Sequence, residues 1–232
     1  MSPDRRSMLL AGAAALVSSG LAGCATAVRV AGPATPPPPP TVRVGDRWRY
    51  ARTNLYNDTA LPEQVMRVTA IAPQLRVEVT DGSGPQPAEV YADPWRVIQE
   101  PAYDMVQVFE TPCPLLPARL EPGATERYAG RYRPAGDDTL RFWSTWVDAQ
   151  QWERVQVPAG SFDALRVTRR IAFQHANTVR IDPRRVETLW YAPQVNRWVR
   201  RVWTGEYTLP GFPQPRLRED WVAWDLIEYA PA

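Results

Sequence analysis

The chain has 232 residues, with 27 basic and 25 acidic side chains, one histidine and a formal net charge of +2. Every basic side chain is arginine, which excludes Schiff-base and lysine-nucleophile chemistry. The near balance of charge argues against a nucleic-acid partner, which needs a basic surface to displace counterions.

At the N-terminus, Arg5 and Arg6 precede an apolar run from Met8 to Val17, and small residues lead up to Cys24. A charged start, a short apolar middle and a small-residue cleavage site predict a secretory signal over residues 1–23. The apolar run is well short of the ~20 residues of a membrane-spanning helix. The tetrapeptide Leu21-Ala22-Gly23-Cys24 resembles the bacterial lipobox, which implies a lipidated Cys24 as the first mature residue and a membrane partner reached through that lipid. An ordinary signal peptide with an incidental cysteine is the alternative. The two arginines fit a twin-arginine export signal and a general secretory one equally. Ala25 resembles the pattern of lipoproteins passed to the outer membrane, where an aspartate would favour inner-membrane retention.

Residues 24–41 contain five successive prolines, Pro36 to Pro40. Such a run enforces polyproline II and predicts a semi-rigid spacer, with a proline-recognition ligand as the alternative. From residue 42 to 232 the signals are those of one antiparallel domain. Leu75, Val77 and Val79 alternate with Arg76, Glu78 and Thr80, the period of a half-buried strand. Leu165, Val167, Ile171 and Phe173 repeat the pattern, with Arg169 breaking the apolar face. Turn clusters such as Asp81-Gly82-Ser83-Gly84, Pro158-Ala159-Gly160 and Gln194-Val195-Asn196 punctuate the chain. No mature segment has a convincing helical period, and roughly ten to eleven strands joined by hairpins are expected.

In 140–148, Leu140, Phe142 and Trp146 face away from Trp143 and Val147; in 221–229, Trp221, Ile227 and Tyr229 oppose Val222, Trp224 and Leu226. Apolar residues on both faces imply a curled sheet with something covering its outside, or two packed sheets. The predicted fold is all-β, an antiparallel up-and-down curled sheet, half-barrel or barrel, with a β-sandwich as the alternative. Glycines ahead of the aromatic-bearing segments 44–50 and 121–128 give a faint internal echo, which similar strand starts explain as well as duplication.

Four blocks occur in fixed order: Val44 to Tyr50, Val157 to Val167, Trp190 to Arg200, and Trp224 to Tyr229. Together they resemble uncharacterised bacterial envelope proteins with a V-P-A-G-T/S-F-D-A block followed by W-Y-A-P-x-V-x-R, similar in turn to the curled β-sheet lipoproteins of the lipoprotein-localisation type. The resemblance implies a fold and a compartment and carries no catalytic residue. Asn196 stands where glycine is more usual, and asparagine tolerates the left-handed turn such a position needs.

Signals for catalysis are sparse. His175 is the only histidine and Cys113 has no partner once Cys24 is lipidated, so neither metal spacing nor a disulfide is present, and Cys113 is expected to be a buried, inert thiol. Ser161, Asp163 and His175 supply triad types without the strained G-x-S-x-G turn, and no phosphate-binding glycine loop is present. Asp137-Asp138 and Glu219-Asp220 are adjacent in sequence, and strand neighbours face opposite ways. No cofactor is implied.

Ten tryptophans and nine tyrosines remain to be explained. They are read either as core packing, since strands favour aromatics, or as a concave pocket for an apolar or acyl ligand. Candidate pocket residues are Trp143, Trp146, Trp190, Trp198, Trp203, Trp221 and Trp224, with Arg169, Arg170, Arg200 and Arg201 for an anionic head group, above all Arg169 and Arg201. The function expected is therefore a non-enzymatic, outer-membrane-anchored periplasmic lipoprotein that binds a hydrophobic or acyl ligand or an envelope protein. The alternatives are a packed structural scaffold and a carboxylate-based glycan hydrolase.

Overall fold

A computed structural model of the chain describes residues 27–232, apart from the side chains of residues 212–214. The signal segment and Cys24 lie outside the described residues. Among those described are thirteen strands: β1 (Ala27–Arg29), β2 (Arg47–Asn54), β3 (Thr59–Ala70), β4 (Leu75–Asp81), β5 (Gly84–Tyr91), β6 (Arg96–Glu100), β7 (Gln107–Pro114), β8 (Thr125–Pro134), β9 (Arg141–Val157), β10 (Gly160–Phe173), β11 (Ile181–Ala192), β12 (Arg197–Leu209) and β13 (Phe212–Ala230). One 3-10 turn, Pro193–Val195, separates β11 from β12.

Each strand from β2 to β12 pairs antiparallel with the next, and β13 pairs back onto β2, so twelve strands close an up-and-down barrel. Closure removes the terminal edges of the twelve-strand sheet, although neighbours of unequal length pair only in part, β7 meeting β8 through Gln107–Phe109 alone and β9 extending beyond β8. That strand is 17 residues long and serves two partners along one edge. β8 takes its residues Arg141–Asp148, and β1 takes Glu153–Val155. The closed ring settles the choice between barrel and sandwich, and its twelve strands exceed the ten to eleven that the turn signals suggested.

Alternation along the strands sorts residues as expected. Leu75, Val77 and Val79 are buried while Arg76, Glu78 and Thr80 are exposed. Gln194-Val195-Asn196 reverses the chain with Asn196 at φ 53, the left-handed conformation foreseen for it. The outer faces, by contrast, are uncovered: Phe142 is 51% exposed, Trp146 40% and Trp221 38%. Aromatics on both faces thus mark a filled interior and a bare apolar flank, not a second layer.

Eight strands already make a barrel just wide enough for side chains to fill. A ring of twelve is wider, and this one is filled by the largest side chains available. Trp48, Trp95, Trp143, Trp198, Tyr50, Tyr91, Tyr132 and Tyr191 are fully buried, together with Arg169, Arg185, Arg197 and Arg201. The aromatic surplus is in large part the filling of a wide ring. Arg169 does break the apolar face of β10, and it does so inside the core.

The proline-rich segment is not a free spacer over its described part. β1 pairs with β9, Val30 N–H donates to Trp152 O at 3.0 Å, and a side chain on Gly32 would collide with the Trp152 indole. Residues 33–36 then run exposed. The segment is fastened again where Pro39 and Pro40 face Trp95, Leu116 and Leu120, and where Thr41 N–H donates to Asn196 Oδ1 at 3.1 Å. It is a strap across one end of the barrel, tied at both of its ends.

Candidate functional site

The outer face of β9–β13 carries a groove of about 830 Å³. Its backbone is one transverse row of register partners, Arg127–Trp146–Arg170–Val186–Thr204–Trp221, one residue from each of β8 to β13. The parallel row Ser144–Ala172–Arg184–Glu206–Arg218 adds two small side chains at the β9–β10 end and three charged ones toward β13. Trp146 and Trp221 stand four strand spacings apart, about 19 Å along the curved sheet. Tyr56 packs edge-on against Trp221 at 5.6 Å. Gly205 is the floor position where a side chain cannot fit, because Glu219 passes beneath it to reach Arg185.

Charge in the groove is uneven. Arg184 and Arg216 are both tied to Asp182, and Arg216 also to Glu206. Arg170 and Arg218 are exposed and make no ion pair among the described residues. Arg218 lies 5.8 Å over the Tyr56 ring, and Arg127 lies 3.9 Å over Trp146. Each end of the groove therefore presents an aromatic wall with an available guanidinium.

The residues singled out from sequence fall into three places. Trp146 and Trp221 line the groove. Trp190 sits lower on the flank between Arg166 and Arg200, with its indole N–H donated to Glu153 at 2.6 Å, and acts as a strut. Trp143, Trp198, Trp203, Trp224, Arg169 and Arg201 point into the packed interior, so they line no common pocket with Trp146. The arginine pairs split across the sheet as strand geometry requires. Arg169 and Arg201 turn inward, Arg170 turns into the groove, and Arg200 pairs with Asp225 at 2.9 Å. Arg218, Val186 and Tyr56 were not anticipated, because only the register brings them beside the tryptophans.

Inside the barrel, Arg201 donates to Glu187 at 2.5 Å and to Glu100 at 2.5 Å, and Arg169 also binds Glu187. Arg197 donates to Glu89 at 2.6 Å and stacks 3.9 Å over Trp198. Burial draws the Glu187 carboxyl up, but Arg201 and Arg169 outweigh it and hold it below the usual range. Each of these carboxylates is held by a guanidinium, and of the three only Glu89 also borders a cavity, one of about 140 Å³. Ser161 lies at the start of β10 and His175 just past its end, about 45 Å of extended chain apart, and Asp163 is held by Arg154 at 2.8 Å. Glu219 turns in and Asp220 out, while Asp137 is used by Thr139 and Arg141. Cys113 is fully buried, which pushes its thiol up to about 11.

At the barrel mouth opposite the strap, Asp104, His175 and Glu219 bring three ligand-type atoms within 4.8 Å of one another. A cation already stands among them. Arg180 lies 3.1 Å from Asp104, 3.3 Å from His175 and 3.4 Å from Glu219. Arg185 adds bonds of 2.7 Å to both carboxylates. Asn177 N–H donates to His175 Nδ1, which puts the ring proton on Nε2, donated to Asp104.

Burial raises the Asp104 carboxyl, but the His175 bond and Arg185 prevail and bring it down to about 2. A folded value below the unfolded one stabilises the fold above the unfolded value, and the contribution disappears as pH falls toward 2. After discounting for solvent screening it amounts to about 1–2 kcal/mol. The stability gap between the unaltered chain and Asp104→Asn should therefore be full at pH 6 and narrow between about pH 4 and pH 2. Denaturant unfolding at stepped pH measures it, and a gap that stays constant through this window would refute the assignment.

No protein-family model matches the chain, and no curated protein matches it. A crystal structure of a protein from Parabacteroides distasonis ATCC 8503, described as a lipoprotein, is similar with a TM-score of 0.50 at 14% identity, covering 83% of this chain and 97% of that one. A protein from Bacteroides fragilis NCTC 9343, described as exported and of YmcC-like fold, gives a TM-score of 0.41 at 13% identity, with 82% and 97% coverage. What this chain shares with the Parabacteroides protein is its fold.

Proposed function

We propose that the chain is a non-enzymatic bacterial envelope lipoprotein, held at the outer membrane by a lipid on Cys24, that binds an amphiphilic anion with an acyl chain in the groove of β9–β13. The groove itself carries the reading: a trough of about 830 Å³ with Trp146 and Trp221 at its ends and, beside them, Arg170 and Arg218, which have no ion partner among the described residues. Such a volume suits a ligand of lipid or drug size, and a guanidinium beside an apolar wall suits a carboxylate or phosphate head. The lipobox-like residues and the shared fold with a protein described as a lipoprotein support the compartment. The resemblance of the sequence blocks to envelope lipoproteins points the same way.

Native mass spectrometry of the chain purified from a bacterial envelope tests this, with palmitate and hexadecanol as paired probes. Palmitate should bind one per chain and more tightly than the alcohol. Trp146→Ala should weaken palmitate binding about tenfold, a loss of about 1.4 kcal/mol. Arg170→Ala with Arg218→Ala should erase the preference for the acid over the alcohol. Absence of a saturable adduct, or an adduct indifferent to both changes, overturns the proposal in favour of a packed scaffold that docks protein on the same apolar flank.

A further inference from the structure

The loop between β6 and β7, residues Pro101–Val106, turns into the barrel mouth instead of away from it. Tyr103 is only 9% exposed. Its ring meets Trp203 edge-on at 5.1 Å and Trp143 at 6.3 Å. The Arg185 and Arg201 guanidiniums lie 4.4 Å and 5.7 Å from the ring centre, and Arg169 reaches the hydroxyl at 3.4 Å. The next residue, Asp104, places its carboxylate against Arg185 at 2.7 Å, Arg180 at 3.1 Å and His175 at 3.0 Å. Two consecutive side chains of one loop thus fill a slot whose walls come from β9, β10, β11, β12 and the β10–β11 loop.

The slot offers more donors than the loop uses. Among the described residues, Arg169 Nε, Arg185 Nη1, Arg201 Nη1 and Trp203 Nε1 are all buried without a partner. Orphan buried donors are rare and costly in native interiors, and here four, three of them on guanidiniums, belong to side chains that contact one inserted ring. Behind the loop lies a cavity of about 140 Å³, lined by Gln64, Glu89 and Trp224 together with Tyr103, Asp104 and Met105. Gln64 Oε1, Glu89 Oε1 and Trp224 Nε1 are likewise without partners. There is space beside the loop, and polar groups to receive it.

We infer that Tyr103 and Asp104 are a built-in occupant of a binding site for a small phenolic carboxylic acid, which takes their place when the loop moves aside. The ring would stack on Trp203 under Arg185, the phenol would meet Arg169, and the carboxylate would take the Asp104 position between Arg185, Arg180 and His175. Arg185 borders the outer groove as well, but none of the other slot residues lines it, and the inference does not rest on the reading of the groove.

The test uses the full chain and 4-hydroxyphenylacetate as the probe, followed by saturation-transfer NMR and calorimetry. Tyr103→Gly with Asp104→Asn should bind the probe at least about tenfold more tightly than the unaltered chain. Adding Arg185→Gln should abolish binding, and Trp146→Ala should leave it unchanged. A double variant that unfolds cooperatively yet binds no probe overturns the inference, as does binding lost with Trp146→Ala, which would put the probe in the groove. If the double variant does not fold, Asp104→Asn alone decides: raised affinity supports the displaced loop, and unchanged affinity overturns it.

Discussion

Glu187→Gln is expected to destabilise the barrel by about 3–5 kcal/mol, the range for removing one member of a buried ion pair. The glutamine is nearly isosteric, so little of the loss comes from packing. Its neutral amide leaves Arg169 and Arg201 with too little negative charge at a site where both guanidiniums are wholly enclosed. For a domain of this size such a loss should lower Tm by roughly 6–20 °C. The interpretation has its own control. Converting the whole network to apolar or neutral groups, with Glu187→Leu, Arg169→Met, Arg201→Met and Glu100→Gln together, should recover most of the loss, because no buried charge then lacks a partner. A Glu187→Gln midpoint within about 1 kcal/mol of the unaltered chain would mean that water reaches the network and that the interior is not dry.

Trp95→Ala is expected to cost about 3–5 kcal/mol, the range for removing a buried large aromatic, and to loosen the strap as well. Trp95 contacts Tyr91 at 5.1 Å, Trp198 at 5.4 Å and Trp48 at 6.1 Å, and Arg197 lies 4.7 Å over its ring. Its indole N–H donates to Asn196 O at 2.9 Å, and Asn196 in turn receives Thr41 from the strap. The ring is held in a backbone conformation at φ 67 that favours glycine, which persists only because so many neighbours fix it. Limited proteolysis should show new cleavage within residues 33–41 of the variant under conditions where the rest of the barrel is intact. A variant that loses stability but keeps the strap protected would show that Gly32 and β1 fasten it unaided.

Strand parity made much of this fold legible. Alternation in β4 put the right residues inside, and the opposed aromatics of 140–148 gave both faces of β9 correctly. The same parity, followed through Leu165, Val167, Ile171 and Phe173, set Arg169 on the apolar face, where an anionic head group was expected and Glu187 stands instead. What parity cannot supply is register. The groove depends on Trp146, Arg170, Val186, Thr204 and Trp221 lying in one row, and each comes from a different strand. The inward arginines likewise needed carboxylates 14 and more positions away, Glu187 for Arg201 and Arg169 and Glu89 for Arg197. Sequence spacing places no constraint on such pairs until the ring is closed. Proline composition, finally, specifies a stiff segment but not whether it is docked. Its docking depends on Trp152 and Trp95, far away in the chain.

The seat of β1 on β9 fixes how the barrel would stand on a membrane. Ala27 pairs with Val155, and Cys24 lies three residues further out, a reach of about 10 Å at full extension. On the proposed anchor, the β9–β10 hairpin end faces the bilayer and the barrel is moored close to it, not floated on a leash. Trp146 lies nine residues back along β9 from Val155, about 30 Å of strand, or some 20–25 Å of height at the tilt of a closed barrel. The groove then opens sideways, above the head groups. An acyl chain cannot keep its tail in the home leaflet while its head rests beside Arg170 or Arg218. Whatever amphiphile occupies this flank must have left the bilayer entirely, so the barrel would hold it in transit, not sense it in place.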